Sequence, residues 1–208
     1  MAAKKSVVKH GATEALISRY RGRLAELAHE LIGEFERHFR AADPMTRAEA
    51  VGEFWSFTEI RQTEDFENIT HQPGFYVILS DVDLGDNECR LSVNDLPAIY
   101  RGHSSHIRER VMSHLDNGRY REMKDKKSQE PWSRCMKLLN IDPDYKGGIN
   151  FDDADHRSSR WAVLTYAIPG SIEFIRQQAE WGFDDAFGQP KASRLEKAKR
   201  PEKLVTAA

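Results

Sequence analysis

The chain has 208 residues, 39% of them hydrophobic and 31% charged, with a formal net charge of −2. That balance describes a globular protein with a wet surface and excludes one coated in positive charge, although a local basic patch can still meet phosphate. No apolar run approaches the about 18 residues a membrane span requires, so no membrane partner is expected.

The elements read as follows, in chain order. Lys4, Lys5 and Lys9 precede no apolar stretch, so the N-terminus is not read as a secretory signal. From Thr13-Glu14, apolar residues recur at steps of three and four (Leu16, Tyr20, Leu24, Leu27, Leu31, Phe35, Phe39), one face of a long helix that stops near Asp43-Pro44. That face leaves room for a homodimer through the N-terminal helices. A second helix is expected from Thr46, with Glu49 three residues on and Ala50, Val51, Phe54, Trp55 and Phe57 as its apolar side. Residues 1–60 thus read as a helical N-terminal extension and 61–73 as a linker. Gly74-Phe75-Tyr76-Val77-Ile78-Leu79 reads as a strand. Gly85-Asp86-Asn87 is a turn signal, and Arg90-Leu91-Ser92-Val93 reads as a short extra strand. Residues 98–105 form the next strand and 106–115 a helix. A basic cluster follows (Arg119, Arg121, Lys124, Lys126, Lys127), then a helix around residues 132–139. Residues 161–168 are the clearest strand, rich in β-branched and aromatic residues. Pro169-Gly170 turns it into a helix with Ile172, Ile175, Ala179 and Phe183 at helical spacing. The tail 195–208 is charged.

Several of these residues suit a phosphodiester. Arg110 and His114 sit four apart and share a helix face. Arg110 can hold a phosphate oxygen through its planar fork, and His114 can move a proton. Tyr76 and Tyr100, on neighbouring strands, offer phenols. Glu173 and Glu180 are the carboxylates available for a metal. Cys89 and Cys135 have no metal-ligand spacing and read as reduced thiols, which makes the expected location cytoplasmic.

The stretch from residue 74 to 194 resembles the GIY-YIG nuclease family. Gly74-Phe75-Tyr76 stands for the first motif and Tyr100-Arg101-Gly102 for the second. The family's arginine falls on Arg110, eight residues after Gly102, with His114 one turn on. Glu180, ten residues before Pro190, matches the metal-binding glutamate better than Glu173 does. Three features depart from the pattern. The interval between Tyr76 and Tyr100 is long, at 23 residues; Ser193 stands for an asparagine; and Arg101 stands for an apolar residue.

The resemblance implies an α/β (α+β) domain over residues 74–194, with a small three-stranded, mainly antiparallel sheet flanked by helices. It implies hydrolysis of DNA with one Mg²⁺ or Mn²⁺ ion held by Glu180. Tyr76 would serve as general base, Tyr100 would assist it, and Arg110 would neutralise charge on the phosphate. Arg101, beside Tyr100, is expected to face solvent or DNA, or to mark an edge strand. Together with Arg119, Arg121, Lys124, Lys126, Lys127, Lys191 and Arg194 it makes the expected nucleic-acid surface. The alternatives are a catalytically inactive nucleic-acid-binding module of this type and a helical interaction protein that works through its long N-terminal helix.

Overall fold

The computed structural model describes residues 10–116, 136–137, 148–149, 151 and 154–193. Helix α1 (His10–Ala41) leads through a short turn, α2 (Ala50–Glu53), into strand β1 (Ser56–Ile60) and a 3-10 helix (Thr63–Asn68). Then come β2 (Gly74–Ser80), β3 (Ser92–Val93), β4 (Leu96–Ser104) and helix α3 (Ile107–Leu115). The two-residue strands β5 (Met136–Lys137) and β6 (Gly148–Ile149) pair with each other, so residues 136–137 are not part of the helix expected around 132–139. The described chain continues with α4 (Ala154–Arg157), β7 (Trp161–Ala167) and α5 (Glu173–Phe187).

The main sheet has five strands in the order β1-β7-β2-β4-β3, every neighbouring pair antiparallel. The mixed α/β class is as expected, but the strand count is five rather than three. One addition is β3, the short strand read at 90–93. It is joined to β4 by Asn94 and Asp95, both at positive φ (53° and 63°), as a two-residue hairpin turn of primed type requires.

The other addition is β1, where a helix was expected over 46–57. Helical geometry fails at Val51 (ψ 115°) and at Gly52, whose φ of 105° suits glycine alone. The Trp55 indole N–H then donates to the Ala42 carbonyl at 2.9 Å, and from Ser56 the chain runs beside β7. Apolar residues crowded at 54, 55 and 57 fit a helical period and an extended one equally well. Residues 61–73, expected as a linker, carry the 3-10 helix and bury Phe66 and Ile69. β1 lies ahead of residue 74 yet is hydrogen-bonded into the same sheet.

All seven residues of β2 are buried, as a strand covered on both faces must be. Alternation divides its side chains. Phe75, Val77 and Leu79 join Phe39, Leu164, Phe183 and Phe187 in one apolar cluster, under α1 and α5. Tyr76 and Ile78 join Phe66, Tyr100, Val111, Trp161 and Val163 in another, under α3 and the 3-10 helix.

Candidate active site

Register brings the tyrosines together. Tyr76 lies opposite Gly102, and Ile78 lies opposite Tyr100. The two phenol rings therefore share a face on a diagonal and stack with centroids 6.3 Å apart. The start of α3 is tied down across this face. The Ile107 and Arg108 amides donate to the carbonyls of Gln72 and Thr70, and the Arg108 guanidinium reaches the Ile69 carbonyl and Glu67, both at 2.7 Å. So held, α3 turns His114 inward. Its Nε2 lies 3.0 Å from the Tyr76 hydroxyl, and its ring centroid is 4.8 Å from that of Tyr100. Arg110, one turn earlier, is exposed at the rim, with its guanidinium within hydrogen-bond reach of the Tyr76 phenol.

Gly102 makes this packing possible. A Cβ there would stand 2.5 Å from the Tyr76 hydroxyl oxygen and 2.7 Å from Cζ. Gly102 is thus the floor on which the Tyr76 phenol lies.

Tyr76 is 1% exposed, and burial is the main force pushing its pKa well above the ordinary value of 10.0. The charges of Tyr100 and Glu180 push the same way. Arg110 opposes them, by its charge and by hydrogen bonding. Glu180 therefore lies within electrostatic range of the phenol cluster.

Glu180 itself is 5% exposed and is approached from β4 by two groups. Arg101 Nη1 is 3.1 Å from Oε2, and His103 Nδ1 is 3.2 Å from Oε1. Arg101 also forms a bidentate pair with Asp184, at 3.0 and 2.7 Å, and its backbone N–H donates to Ser193 Oγ at 3.0 Å. Arg101 is thus 4% exposed, not on the solvent- or DNA-facing surface expected of it. It does point to the side opposite Tyr100, but that side is covered by α5. A buried guanidinium there is tolerable because two carboxylates one turn apart neutralise it. Asp184 went unnoticed in the sequence. Its signal was the four-residue step from Glu180, which places both acids on one helix face. Ser193 thus supplies a polar contact to the β4 backbone.

No family model, curated protein or solved structure matches this chain. The site is therefore read from its own geometry. The structure brings Tyr76, Tyr100, Arg110 and His114 together on the α3 side of the sheet, while Glu180 stands on α5, which covers the other side, within electrostatic range of the Tyr76 phenol. Glu173 opens α5, seven residues before Glu180. Of the expected nucleic-acid contacts, Lys191 is half-buried and its backbone N–H donates to the Asn87 side chain at 3.1 Å. Arg119, Arg121, Lys124, Lys126, Lys127 and Arg194 lie outside the described residues.

The donor set suits one hard cation held largely by water. An ionised carboxylate has about four acceptor positions, and Arg101 and His103 approach Glu180 at ion-pair distance, one at each oxygen. Mg²⁺ needs only one or two protein carboxylates and keeps several waters. Among the described residues no cluster of three or more His, Cys, Asp or Glu is placed to enclose a metal, which leaves Glu180 as the carboxylate that would hold one.

Proposed function

We propose that the chain is a metal-dependent endonuclease of GIY-YIG type that hydrolyses phosphodiester bonds in DNA. The observation that carries this reading is the 3.0 Å contact between the Tyr76 hydroxyl and His114 Nε2, buried beneath Tyr100 with Arg110 at the rim. A water oxygen attacks phosphorus, forming one P–O bond as the bond to the leaving ester oxygen breaks. The water proton passes to the Tyr76 oxygen while the phenolic proton passes to His114 Nε2, with the other imidazole proton on Nδ1. This relay fits the burial of Tyr76, because a lone phenolate is disfavoured there. Tyr100 confines the water. Arg110 takes a non-bridging oxygen in its fork and meets the charge that develops on it. Glu180, oriented by Arg101 and His103, would hold the Mg²⁺ or Mn²⁺ ion, whose contribution is to polarise the phosphate as a Lewis acid. The departing alkoxide takes a proton from solvent. The choice of DNA over RNA comes from the family resemblance.

A second reading, a nucleic-acid-binding module without catalysis, is favoured by one observation. Both Glu180 oxygens are already approached by cationic or imidazole groups. Incubation of supercoiled DNA with Mg²⁺ or Mn²⁺ separates the two. The nuclease nicks the DNA, and Tyr76→Phe, Arg110→Ala and Glu180→Gln abolish nicking. A wild-type protein that binds DNA but never cuts it establishes the second reading.

A further inference from the structure

Large hydrophobic side chains are exposed at seven described positions, and five of these (Leu16, Ile17, Tyr20, Leu24 and Leu27) lie between residues 16 and 27 of α1, at 44–54% exposure. They are not scattered. Ile17, Tyr20, Leu24, Leu27 and the half-buried Leu31 follow a strict three-four-three-four spacing. The same helix carries a second seam with the same spacing, Ala25, Ala28, Ile32, Phe35 and Phe39, turned from the first by about 100°. The second seam is largely buried, where α1 packs along α5. The first has no cover among the described residues.

A repeat of about 3.5 residues is the repeat of a two-helix coil, with Ile17, Leu24 and Leu31 at one core position and Tyr20 and Leu27 at the other. We infer that this seam pairs with the same seam on a second copy of the chain, with the two helices antiparallel about a twofold axis beside Ala25 and Glu26. Charge selects the arrangement. With the axis there, Leu24 packs on Leu27 of the second copy and Tyr20 on its Leu31. Arg23 then meets Glu30 of the second copy, twice by symmetry. Slipping the pairing by one heptad sets Arg23 against Arg23 and Arg21 against Arg21. Parallel pairing places Arg23 beside Ala28 and forms no opposite-charge flank over residues 14–31. The second half of α1 is already anchored to the domain, so the helix is presented preformed and association avoids the cost of nucleating it. The inference rests on α1 alone and stands or falls apart from the nuclease reading.

Sedimentation velocity on the full chain tests it, over about 1–100 μM because protomer concentration sets a dimer's population. The expected mass is twice 23.9 kDa. Leu24→Asp/Leu27→Asp returns a folded monomer, with the circular dichroism of the wild type and a thermal midpoint that no longer rises with protein concentration, since both side chains are exposed within one protomer. Glu30→Arg raises the dissociation constant about tenfold, converting two flanking attractions into repulsions. Arg23→Glu/Glu30→Arg restores wild-type association. A monomer at every concentration overturns the inference. So does a dimer indifferent to Leu24→Asp/Leu27→Asp, or a charge swap that fails to restore association. A monomer that sediments with phosphatidylserine vesicles through the same leucines overturns it in favour of a membrane surface.

Discussion

The two faces of the central sheet are built by the same strands and do opposite things. Under α1 and α5, β2 contributes Phe75, which packs against Phe39 at 5.5 Å and Phe183 at 5.1 Å between ring centroids. Under α3, the next residue, Tyr76, packs against another tyrosine and a histidine. Both faces are aromatic and both are buried. They differ in the residue that β2 supplies: the first face has its own tyrosine–histidine pair, Tyr166 and His38 at 2.6 Å, but β7 and α1 supply it. A single step along a strand thus separates a residue whose role is cohesion from the one proposed to carry the chemistry.

Truncating each neighbour sharpens this contrast. Phe75→Ala should cost about 3–5 kcal/mol of stability, because it opens a cavity where several rings meet; denaturant melts measure it. Arg101→Ala should cost a similar about 3–5 kcal/mol by stranding Glu180 and Asp184 as buried charges. A loss below 1 kcal/mol in those melts would mean that water already reaches the pair. Tyr76→Phe should do the reverse of Phe75→Ala. Stability should fall by only about 1 kcal/mol for one hydrogen bond, while nicking should fall about 10²–10⁴-fold. If nicking survives, Tyr76 belongs with the cohesive face. Gly102→Ala should displace the phenol without removing it, costing about 10²-fold in rate for a shift near 1 Å. A wild-type rate would place the working hydroxyl elsewhere.

The smallest effect is in pH. Tyr76 titrates above 10.0 in the folded protein, so the unfolded chain gives up this proton first. Its contribution to stability is whole below pH 10 and shrinks as the pH climbs beyond. Cys89, in the apolar cluster, behaves likewise from its ordinary value of 9.0, burial having pushed it up to about 11. Tyr76→Phe and Cys89→Ala should each flatten part of the alkaline decline seen in urea melts. An unchanged decline in both variants would assign it to other groups.

The contrast also marks how far the sequence could be read. Strands β2 and β7 were legible because their apolar runs are long and bounded by glycine, proline or small polar residues, whereas β4 shows only Ala98-Ile99-Tyr100 before Arg101 and His103 break the run. Helix α3 and the placement of Arg110 and His114 followed from spacing along one helix face. What stayed hidden depended on partners distant in the chain. Trp55 and Phe57 look helical until β7 lies beside them. Arg101 looks like a surface charge until α5 brings Glu180 and Asp184 to it from about 80 residues away. Spacing reports local geometry, but it cannot report which buried charge a distant helix will neutralise.

The strand order has a consequence for the birth of the molecule. Of the five strands in the main sheet, β7 is last in the chain, yet it lies between β1 and β2. On the ribosome, β1 and β2 emerge early and wait for a neighbour more than 80 residues downstream, their facing edges open in the meantime. Such non-local closure is slow and leaves a growing chain exposed to wrong pairings. The sheet closes only after Ala167 has left the exit tunnel, so a nascent chain halted at residue 160 should remain sensitive to protease throughout.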